Sequence, residues 1–339
     1  MSSLHLVLIL VLSISILIYA VQVSRYQRKV DDVCNNGRWI LMNSIAYDYK
    51  IHNFALKGNQ HDWSFSKNCL NAKNNVGRKY RWYSTSEFAL NANFSRSIIC
   101  NLLEGKNLVI AGDSLSDQFY VTLLHMMWTG SDTYLPAKVF DGYTPTTVYM
   151  NCSSSQSFNL TYIRTYHLNT NIKRRLSADI EKPWINSIAA GTVLLLNRGV
   201  HYMPPTPFIS QLKNTFNQIK SKYIDLINNK KLLVIYRDTH YGVSNYEQLF
   251  NTTPSLHTTN YTELEKSWGW DQFDEENRLS YDLITSKFPW VTYMNISGST
   301  RFRSDSRKDG LHFCIPGPVD SWIMKFIEVC NIWNSYSME

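Results

Sequence analysis

The chain has 339 residues, of which 44% are hydrophobic, so it is long enough and apolar enough to bury a globular core, and intrinsic disorder is excluded. Its net charge is +7, but the basic residues are dispersed along the chain. Dispersed charge of this kind argues against a nucleic-acid-binding protein.

The amino terminus is apolar. Residues 4–23 form an apolar stretch with only five polar or tyrosine positions, and the stretch is long enough to cross a bilayer. We therefore predict that residues 1–23 are an uncleaved transmembrane anchor and that residues 24–33 are a polar stem. A cleaved signal peptide is the alternative, because Ile18–Tyr19–Ala20 resembles a cleavage site. Arg25, Arg28 and Lys29 follow the apolar stretch, and the positive-inside rule alone would keep the body cytoplasmic.

Two patterns favour a lumenal body instead. The chain has six glycosylation sequons, at Asn93, Asn151, Asn159, Asn251, Asn260 and Asn295. It also has six cysteines: Cys34, Cys69, Cys100, Cys152, Cys314 and Cys330. None of the cysteine spacings suits a metal, so no metal site is expected and disulfides in an oxidising compartment are predicted, with their pairing left open. A disulfide at Cys314 would either make the loop that carries His312 more rigid or only stabilise the fold.

The body, residues 34–335, divides into two parts. Residues 34–104 show no clean period and are predicted to contribute a minor, disulfide-bonded subdomain. From Gly105 onward, short apolar runs alternate with amphipathic segments, which indicates an α/β fold with a parallel sheet flanked by helices. The predicted strands are Leu108–Ala111, Val193–Leu196, Leu232–Tyr236 and Trp290–Met294. The predicted helices follow Ser114, span Phe208–Tyr223 and cover Val319–Ile332.

The first of these strands leads into Gly112–Asp113–Ser114. Such a turn places Ser114 at the carboxyl end of a strand and the amino end of a helix, where open sheets bind ligands and free N–H groups can hold an oxyanion. A serine hydroxyl is a weak nucleophile unless an imidazole takes its proton and a carboxylate orients that imidazole. Ser114 is therefore a candidate nucleophile, although the triplet alone is also a common turn sequence.

The partners of Ser114 are predicted near the carboxyl terminus. Asp309–Gly310–Leu311–His312 supplies an imidazole three residues after a carboxylate. We interpret His312 as the general base and Asp309 as the carboxylate that orients it. The other interpretation of the pair is a solvated or capping contact.

Polar residues also end the other predicted strands. Asn197, with Gly199 nearby, follows the second strand, and its side-chain amide is a candidate donor to the oxyanion, beside the N–H of Ser114. The alternative is that Asn197 caps a turn. Arg237, Asp238 and His240 end the third strand and are predicted either to line the pocket or to form a structural ion pair.

Together these segments resemble the PC-esterase group of the SGNH hydrolase superfamily, above all the trichome birefringence-like polysaccharide O-acetyltransferases. Gly112–Ser116 is similar to the GDS block of that family, and Asp309–Trp322 is similar to its DxxHxCxPGxxDxW block. Weaker similarities extend the resemblance over residues 34–333. They lie at Cys34 with Gly37 and Trp39, at Cys69 with Tyr80–Trp82, at Asn197 with Gly199 and at Tyr236–Gly242.

The resemblance implies a single-pass Golgi protein with a lumenal SGNH domain that moves an acetyl group through Ser114 to a sugar hydroxyl. It implies an acetyl donor, acetyl-CoA or a membrane-derived one, and no bound cofactor. Two features differ from the family. After the GDS block, family members usually have a basic residue followed by Asn-Gln, whereas this chain has Asp117 and Gln118. Family members also commonly have a cysteine at the position of Gly310, so one family disulfide is expected to be missing here. Both differences lie at the predicted rim of the pocket, so they affect the predicted identity of the acceptor more than the assignment of the triad.

Two other functions fit the same residues. An esterase would use the same triad with water as the acceptor. A non-catalytic glycan-binding protein would use aromatic side chains such as Trp268 and Trp270, which are otherwise core residues. The basic groups at 173–175 and 301–308 are either solvated faces or an attractive surface for an anionic acceptor glycan or the phosphates of an acyl donor.

Overall fold

The structure is a computed structural model in which the described residues are 3–42, 69, 79–90, 95–127, 146–153, 156–166, 168, 175–176, 179–180, 184–199, 201, 204–249, 253–254 and 260–338. The strands are Gly37–Leu41 (β1), Tyr80–Ser84 (β2), Asn107–Gly112 (β3), Thr146–Asn151 (β4), Ser157–Arg164 (β5), Arg175–Leu176 (β6), Asp179–Ile180 (β7), Thr192–Asn197 (β8), Leu232–Arg237 (β9) and Val291–Met294 (β10). The α-helices are Ser3–Asn35 (α1), Arg96–Leu103 (α2), Ser114–Met127 (α3), Pro205–Asn228 (α4), Tyr246–Leu249 (α5), Glu263–Ser267 (α6), Phe273–Lys287 (α7), Ser297–Thr300 (α8) and Pro318–Met338 (α9).

A mostly parallel sheet forms the centre of the molecule. Its strand order is β10-β9-β8-β3-β5-β4, with β4 alone antiparallel to its neighbour. The predicted strands at β3, β8, β9 and β10 and the predicted helices α3, α4 and α9 are confirmed. The predicted α/β class with a helix-flanked, largely parallel sheet is therefore confirmed as well.

Alternate residues of each central strand pack on opposite faces of the sheet. In β3, Leu108 and Ile110 join a core made with α1, α2, α3 and α9, whereas Val109 and Ala111 join a second core made with α4 and α7. Helices on both faces explain why these strands are continuously apolar. The arrangement brings the carboxyl ends of β3, β8 and β9 together at one edge.

The amino-terminal helix runs from Ser3 to Asn35 and so continues through the predicted stem. Residues 24–33 continue the helix and pack on the body: Val30 and Val33 are buried, and the Tyr26 hydroxyl and Thr292 Oγ1 lie 2.9 Å apart. Within the described part of the chain, no helix long and apolar enough to cross a membrane is found, so the predicted anchor is not confirmed.

Two disulfides join four of the six cysteines: Cys69 with Cys314 and Cys100 with Cys152. The first disulfide includes Cys314, two residues beyond His312. The prediction that Cys34 and Cys330 also form disulfides is wrong, because both are buried free thiols, on α1 and α9. Burial raises the pKa of both thiols to about 12, which keeps them protonated and unreactive at neutral pH.

Candidate active site

The candidate nucleophile lies at the turn between β3 and α3. Gly112 ends the strand, and a Cβ at this position would lie 2.2 Å from Ser116 Oγ, so a larger residue would displace the first helical turn. The Asp113 side chain accepts a hydrogen bond from the Leu115 N–H at 2.9 Å, which caps that turn. Close packing and capping together fix Ser114 at the start of the helix.

The structure brings Ser114, His312 and Asp309 together as the sequence predicts. Ser114 Oγ lies 2.8 Å from His312 Nε2, and His312 Nδ1 lies 3.0 Å from both carboxylate oxygens of Asp309. Since the carboxylate only accepts hydrogen bonds, Nδ1 carries the proton and Nε2 is left to accept the proton of Ser114. This is the arrangement that activates a serine.

Asp309 is held in its ionised form. Burial alone would raise the pKa of the carboxyl, but the hydrogen bond and charge of His312 and the backbone N–H groups of His312 and Leu311 outweigh it and hold the pKa well below its usual range. The Asp309 side chain is 42% exposed and that of His312 is 14% exposed. The triad is thus open to solvent on one side.

Arg307 stabilises the loop that carries His312. Its guanidinium donates to the carbonyl oxygens of Tyr241 at 2.6 Å and of Leu311 at 3.1 Å, and the side chain is buried. His240 donates through Nε2 to the same Leu311 oxygen at 2.6 Å. Burial, with the positive charges of Arg307 and Arg237, lowers the pKa of His240 well below its usual value, so this histidine stays neutral.

Gln118 connects the nucleophile helix to the same loop. Its Nε2 donates to the Phe313 carbonyl at 2.7 Å, and its Oε1 accepts from the Phe313 N–H at 3.2 Å. Gln118 lies one helical turn after Ser114, and Phe313 follows His312 directly. Both reacting side chains are therefore positioned by one buried amide.

Two backbone N–H groups are suited to hold an oxyanion. Among the described residues, neither Ser114 nor Gly199 donates its N–H to a protein acceptor. Ala111 and Leu196 are register partners in β3 and β8, so Ser114 and Gly199, each three residues further on, extend from the same edge of the sheet. The predicted pocket residue Gly199 therefore keeps its role as a candidate.

Of the two roles predicted for Asn197, that of an oxyanion donor is wrong. Its Nδ2 donates to the carbonyl oxygen of Arg237 at 3.0 Å and to Thr239 Oγ1 at 3.2 Å, and the residue is 1% exposed. An amide engaged in this way ties β8 to the end of β9 and is not available to an oxyanion. Its sequence position at a strand end was compatible with either role.

Arg237, Asp238 and His240 do not line a pocket. All three are buried, and Asp238 accepts hydrogen bonds from the Ile296 N–H at 2.7 Å and from Ser297 Oγ at 2.6 Å. Burial lowers the pKa of Arg237 to about 10, although the Asp113 and Asp238 carboxylates offset part of that effect. The three residues are therefore structural, but the predicted ion pair is not found among these described residues, because Arg237 Nη1 donates to the backbone carbonyl of Asp238, at 3.1 Å.

The basic segment 301–308 is also structural. Arg303 is fully buried and pairs with buried Asp305 at 2.8 Å, and Arg307 is buried under the base loop. This segment therefore offers no broad basic surface. The other basic group falls mainly outside the described residues, which include only Arg175 of it.

Trp268 and Trp270 differ in burial. Trp270 is a core residue that lies between Gly242 and Gly310, and a Cβ at these two glycines would lie 2.1 and 2.6 Å from its ring. Trp268 is half-buried beside it.

The predicted glycosylation sequons differ in exposure. Asn151 and Asn260 are exposed, whereas Asn159 and Asn295 are half-buried and make side-chain hydrogen bonds. Asn93 and Asn251 lie outside the described residues, and glycosylation stays a prediction at every sequon.

Sequence reasoning missed the supporting residues of the site. In the sequence, Gln118 stands out only as a difference from the family pattern, although its four-residue spacing from Ser114 places both residues on one helical face. Arg307 belongs to a basic segment of the sequence, and no periodic pattern distinguishes a buried arginine from an exposed one. In the described residues, no group of three or more His, Cys, Asp and Glu side chains is arranged to hold a metal ion.

No known protein-family model matches this chain. A comparison with curated proteins finds no significant match either. The resemblance to the PC-esterase group is therefore carried by the motifs and their spacing alone, and it stays a prediction.

Proposed function

We propose that the protein is an O-acyltransferase that moves an acetyl group to a hydroxyl of a glycan through an acyl-enzyme at Ser114. The observation that carries the proposal is the 2.8 Å contact of Ser114 Oγ with His312 Nε2, while Nδ1 of the same ring lies 3.0 Å from Asp309. A serine with an oriented imidazole is the arrangement used for acyl transfer on several unrelated folds.

In the first half of the reaction, His312 Nε2 takes the proton of Ser114 as Oγ attacks the acetyl carbonyl carbon. The N–H groups of Ser114 and Gly199 stabilise the negative oxygen of the tetrahedral intermediate. The intermediate collapses with loss of the donor's leaving group, which receives the proton from His312. Ser114 then carries the acetyl group as an ester.

In the second half, an acceptor hydroxyl enters on the open side of the triad. His312 takes its proton, the hydroxyl oxygen attacks the acetyl carbon, and Oγ leaves and recovers the proton from His312. Asp309 stays ionised throughout and stabilises the imidazolium. The acetyl donor supplies the energy-rich acyl bond, and the residues described require no bound cofactor.

The glycan acceptor and the compartment rest on the motif resemblance and on the disulfides. Two disulfides suit an oxidising compartment, and the exposed sequons Asn151 and Asn260 suit a secreted or lumenal surface. We therefore assign the reaction to the lumen of the Golgi or another secretory compartment, where glycans are modified.

A glycan acetyl esterase is the second candidate, and one observation favours it. The side chain of Asp309 is 42% exposed, and that of His312 is also reached by solvent. Water that reaches the acyl-enzyme would take the place of the acceptor hydroxyl, and transfer to a sugar requires that water be excluded.

The experiment that separates the two candidates measures where the acetyl group goes. The protein is supplied with an activated acetyl ester and an oligosaccharide, and acetylated sugar and free acetate are measured side by side by NMR. A transferase gives acetylated sugar in excess over the Ser114→Ala background, whereas an esterase gives acetate alone. No Ser114-dependent product of either kind contradicts both.

A further inference from the structure

A pocket of about 370 Å³ lies where α1 packs against α7 and the edge strand β10. Four apolar side chains contribute to its lining: Val23, Ile284, Pro289 and Val291. Val291 is the first residue of β10, so the pocket lies at the amino end of the parallel strands. Ser114 follows the carboxyl end of β3, at the opposite edge of the sheet. The pocket is therefore separate from the candidate active site.

Helix α1 runs beside β10 in the same direction as the strand. Val23 lines the pocket with Val291, and four residues later the Gln27 side chain bonds both backbone polar groups of Tyr293, at 3.0 and 3.2 Å. Since a helix rises about 1.5 Å per residue, Leu17 lies about 9 Å before Val23 along the axis, beyond the pocket. The large apolar side chains of that part of α1 are exposed, among them Leu10, Ile14, Leu17 and Val21. An exposed apolar surface thus continues from the pocket along the helix.

Two opposite charges line the pocket, Arg28 and Asp31, which lie about one helical turn apart on α1. They are the only charged side chains among the described residues that line it. Arg28 is exposed, and in the described structure its guanidinium has one hydrogen bond, to Ser24 Oγ at 3.2 Å. Because a guanidinium has five N–H groups, most of the donors of Arg28 remain for a ligand.

The Asp31 carboxylate is half-buried and accepts two hydrogen bonds from neutral groups. Gln27 Nε2 donates to Oδ1 at 2.8 Å, and the Tyr281 hydroxyl donates to Oδ2 at 2.9 Å. Burial raises the pKa of the carboxyl, and the two hydrogen bonds offset only part of that effect. A carboxylate accepts up to about four hydrogen bonds, and no lysine or arginine pairs with Asp31 among the described residues. A cation bound in the pocket would therefore find an acceptor that the described chain leaves without a cationic partner.

We propose that this pocket binds the headgroup of a zwitterionic phospholipid, phosphatidylethanolamine, with its phosphate at Arg28 and its ammonium at Asp31. Each contact is a charge-assisted hydrogen bond, and a ligand with both charges matches both side chains. The acyl chains lie along the exposed apolar surface of α1. The bound lipid holds the amino edge of the sheet at a membrane and leaves Ser114 on the edge that faces away. The proposal does not depend on acyl transfer at Ser114.

Calorimetric titration of the full-length protein in a neutral detergent tests the two charges, with a titration into detergent alone as the blank. The ligands are dihexanoyl phosphatidylethanolamine and its N-acetyl derivative, which keeps the phosphate and has no ammonium. We expect the lipid with the ammonium to bind at least roughly tenfold more tightly, the effect of one charge-assisted hydrogen bond. Glycerophosphoethanolamine, which has the headgroup without acyl chains, should bind at least roughly tenfold more weakly than the lipid.

Variants then assign each charge to its residue. Asp31→Asn should remove the preference for the ammonium and leave binding of the N-acetyl lipid within about twofold, whereas Arg28→Gln should weaken binding of both lipids several-fold. The matched controls lie outside the pocket: Arg25→Gln, one turn before Arg28 on α1, and Asp282→Asn, beside Tyr281 on α7. Neither control should change the affinity for either lipid.

A variant that fills the pocket tests its location independently of charge. Thr285 is exposed and lines the pocket, so Thr285→Trp should leave the fold intact and abolish binding of the lipid. Lipid that still binds to Thr285→Trp, or equal binding of the two lipids to the wild type, would overturn the proposal.

The remaining outcomes also decide the proposal. A preference kept in Asp31→Asn would mean that another group holds the ammonium. An equal loss in Arg25→Gln and Arg28→Gln would mean that phosphate is attracted to the basic side of α1 and not to the pocket. Equal affinity for glycerophosphoethanolamine and the lipid would mean that the ligand is a soluble zwitterion. Each of these results, like the absence of binding to the wild type, would overturn the assignment.

Discussion

The side chain of Gln118 binds both backbone polar groups of Phe313, the residue that follows His312. This pair of hydrogen bonds joins the helix that begins at Ser114 to the loop that carries the base. The nucleophile and the base come from opposite ends of the sequence, and their 2.8 Å contact depends on how these two elements are held together.

Replacement of Gln118 by Ala should therefore affect both stability and reactivity. It leaves the N–H and the carbonyl of Phe313 buried without their partner, which should lower the free energy of unfolding by about 2–4 kcal/mol. Loss of the alignment should slow acetylation of Ser114 at least roughly tenfold. Urea unfolding and the rate of acetyl incorporation measure the two effects.

Thr122→Val is the matched control for Gln118→Ala. Thr122 is buried one turn further along the same helix, and its hydroxyl donates only to the Gln118 carbonyl at 2.7 Å. It should cost some stability and leave the acetylation rate unchanged. A Gln118→Ala protein that is acetylated as fast as Thr122→Val would contradict the positioning role.

Gly199 should not tolerate a side chain. A Cβ there would lie 2.2 Å from Thr239 Oγ1, and its φ of 151° is one that L-residues rarely adopt. Gly199→Ala should displace the candidate oxyanion donor and slow acetylation by on the order of 10²-fold, as expected for loss of one such donor. Steady-state hydrolysis of an activated acetyl ester measures the change.

The opposite end of the same strand supplies the control. Gly191 also has a positive φ, of 81°, but a Cβ there would meet only the Gly105 carbonyl at an ordinary 3.8 Å. Gly191→Ala should lower stability without slowing the reaction. If the two variants lose activity equally, the assignment of Gly199 to the oxyanion site is wrong.

Asp309→Asn tests the ionised carboxylate. The substitution removes the acceptor that fixes the His312 tautomer, and the acetylation rate at pH 7 should fall by on the order of 10²–10⁴-fold. Because the folded pKa of Asp309 is depressed, its contribution to stability is fully present above the unfolded pKa of about 4 and is lost as pH falls through the folded value.

The stability difference between wild type and Asp309→Asn should accordingly be constant from about pH 5 to 7 and shrink below about pH 4. Urea midpoints measured between pH 3 and 7 follow it, with Asp282→Asn, on the surface of α7, as the control. A difference that grows as the solution becomes more acidic would mean that the Asp309 pKa is not depressed.

The two disulfides should behave differently. Removal of either pair by double Ala substitution should cost about 2–5 kcal/mol of stability. Only the Cys69–Cys314 bridge lies next to the base loop, so only its removal should also slow acetylation, whereas loss of Cys100–Cys152 should not. Equal acetylation rates in the two double variants would show that the first bridge is purely structural.

The sequence predicts the parts of this molecule that depend on local pattern. Continuous apolar runs such as Leu108–Ala111 indicate strands buried on both faces, and the GDS turn follows from the strand that precedes it. The triad residues are identified because their chemistry needs a serine, an imidazole and a carboxylate. The motif spacing then selects Ser114, Asp309 and His312 from the other candidates.

Long-range partners are not predictable in this way. Asn197 ends a strand, as a pocket residue would, and only the position of Thr239, two residues beyond the end of β9, shows that its amide is already engaged. Arg303 and Arg307 look like surface charge, yet aromatic rings and carbonyl groups from distant segments bury them. The cysteine pairing depends likewise on which segments the fold brings within bonding distance.

The most direct test of the central claim is to find the acetyl group on Ser114. Wild-type protein, Ser114→Ala and His312→Ala are mixed briefly with an activated acetyl ester, quenched in acid and mapped by peptide mass spectrometry. The account predicts one added acetyl group, on Ser114, in the wild type, little in His312→Ala and none in Ser114→Ala. Folded wild-type protein that gains no acetyl group on Ser114 while turning the ester over, or that turns over none, would contradict it.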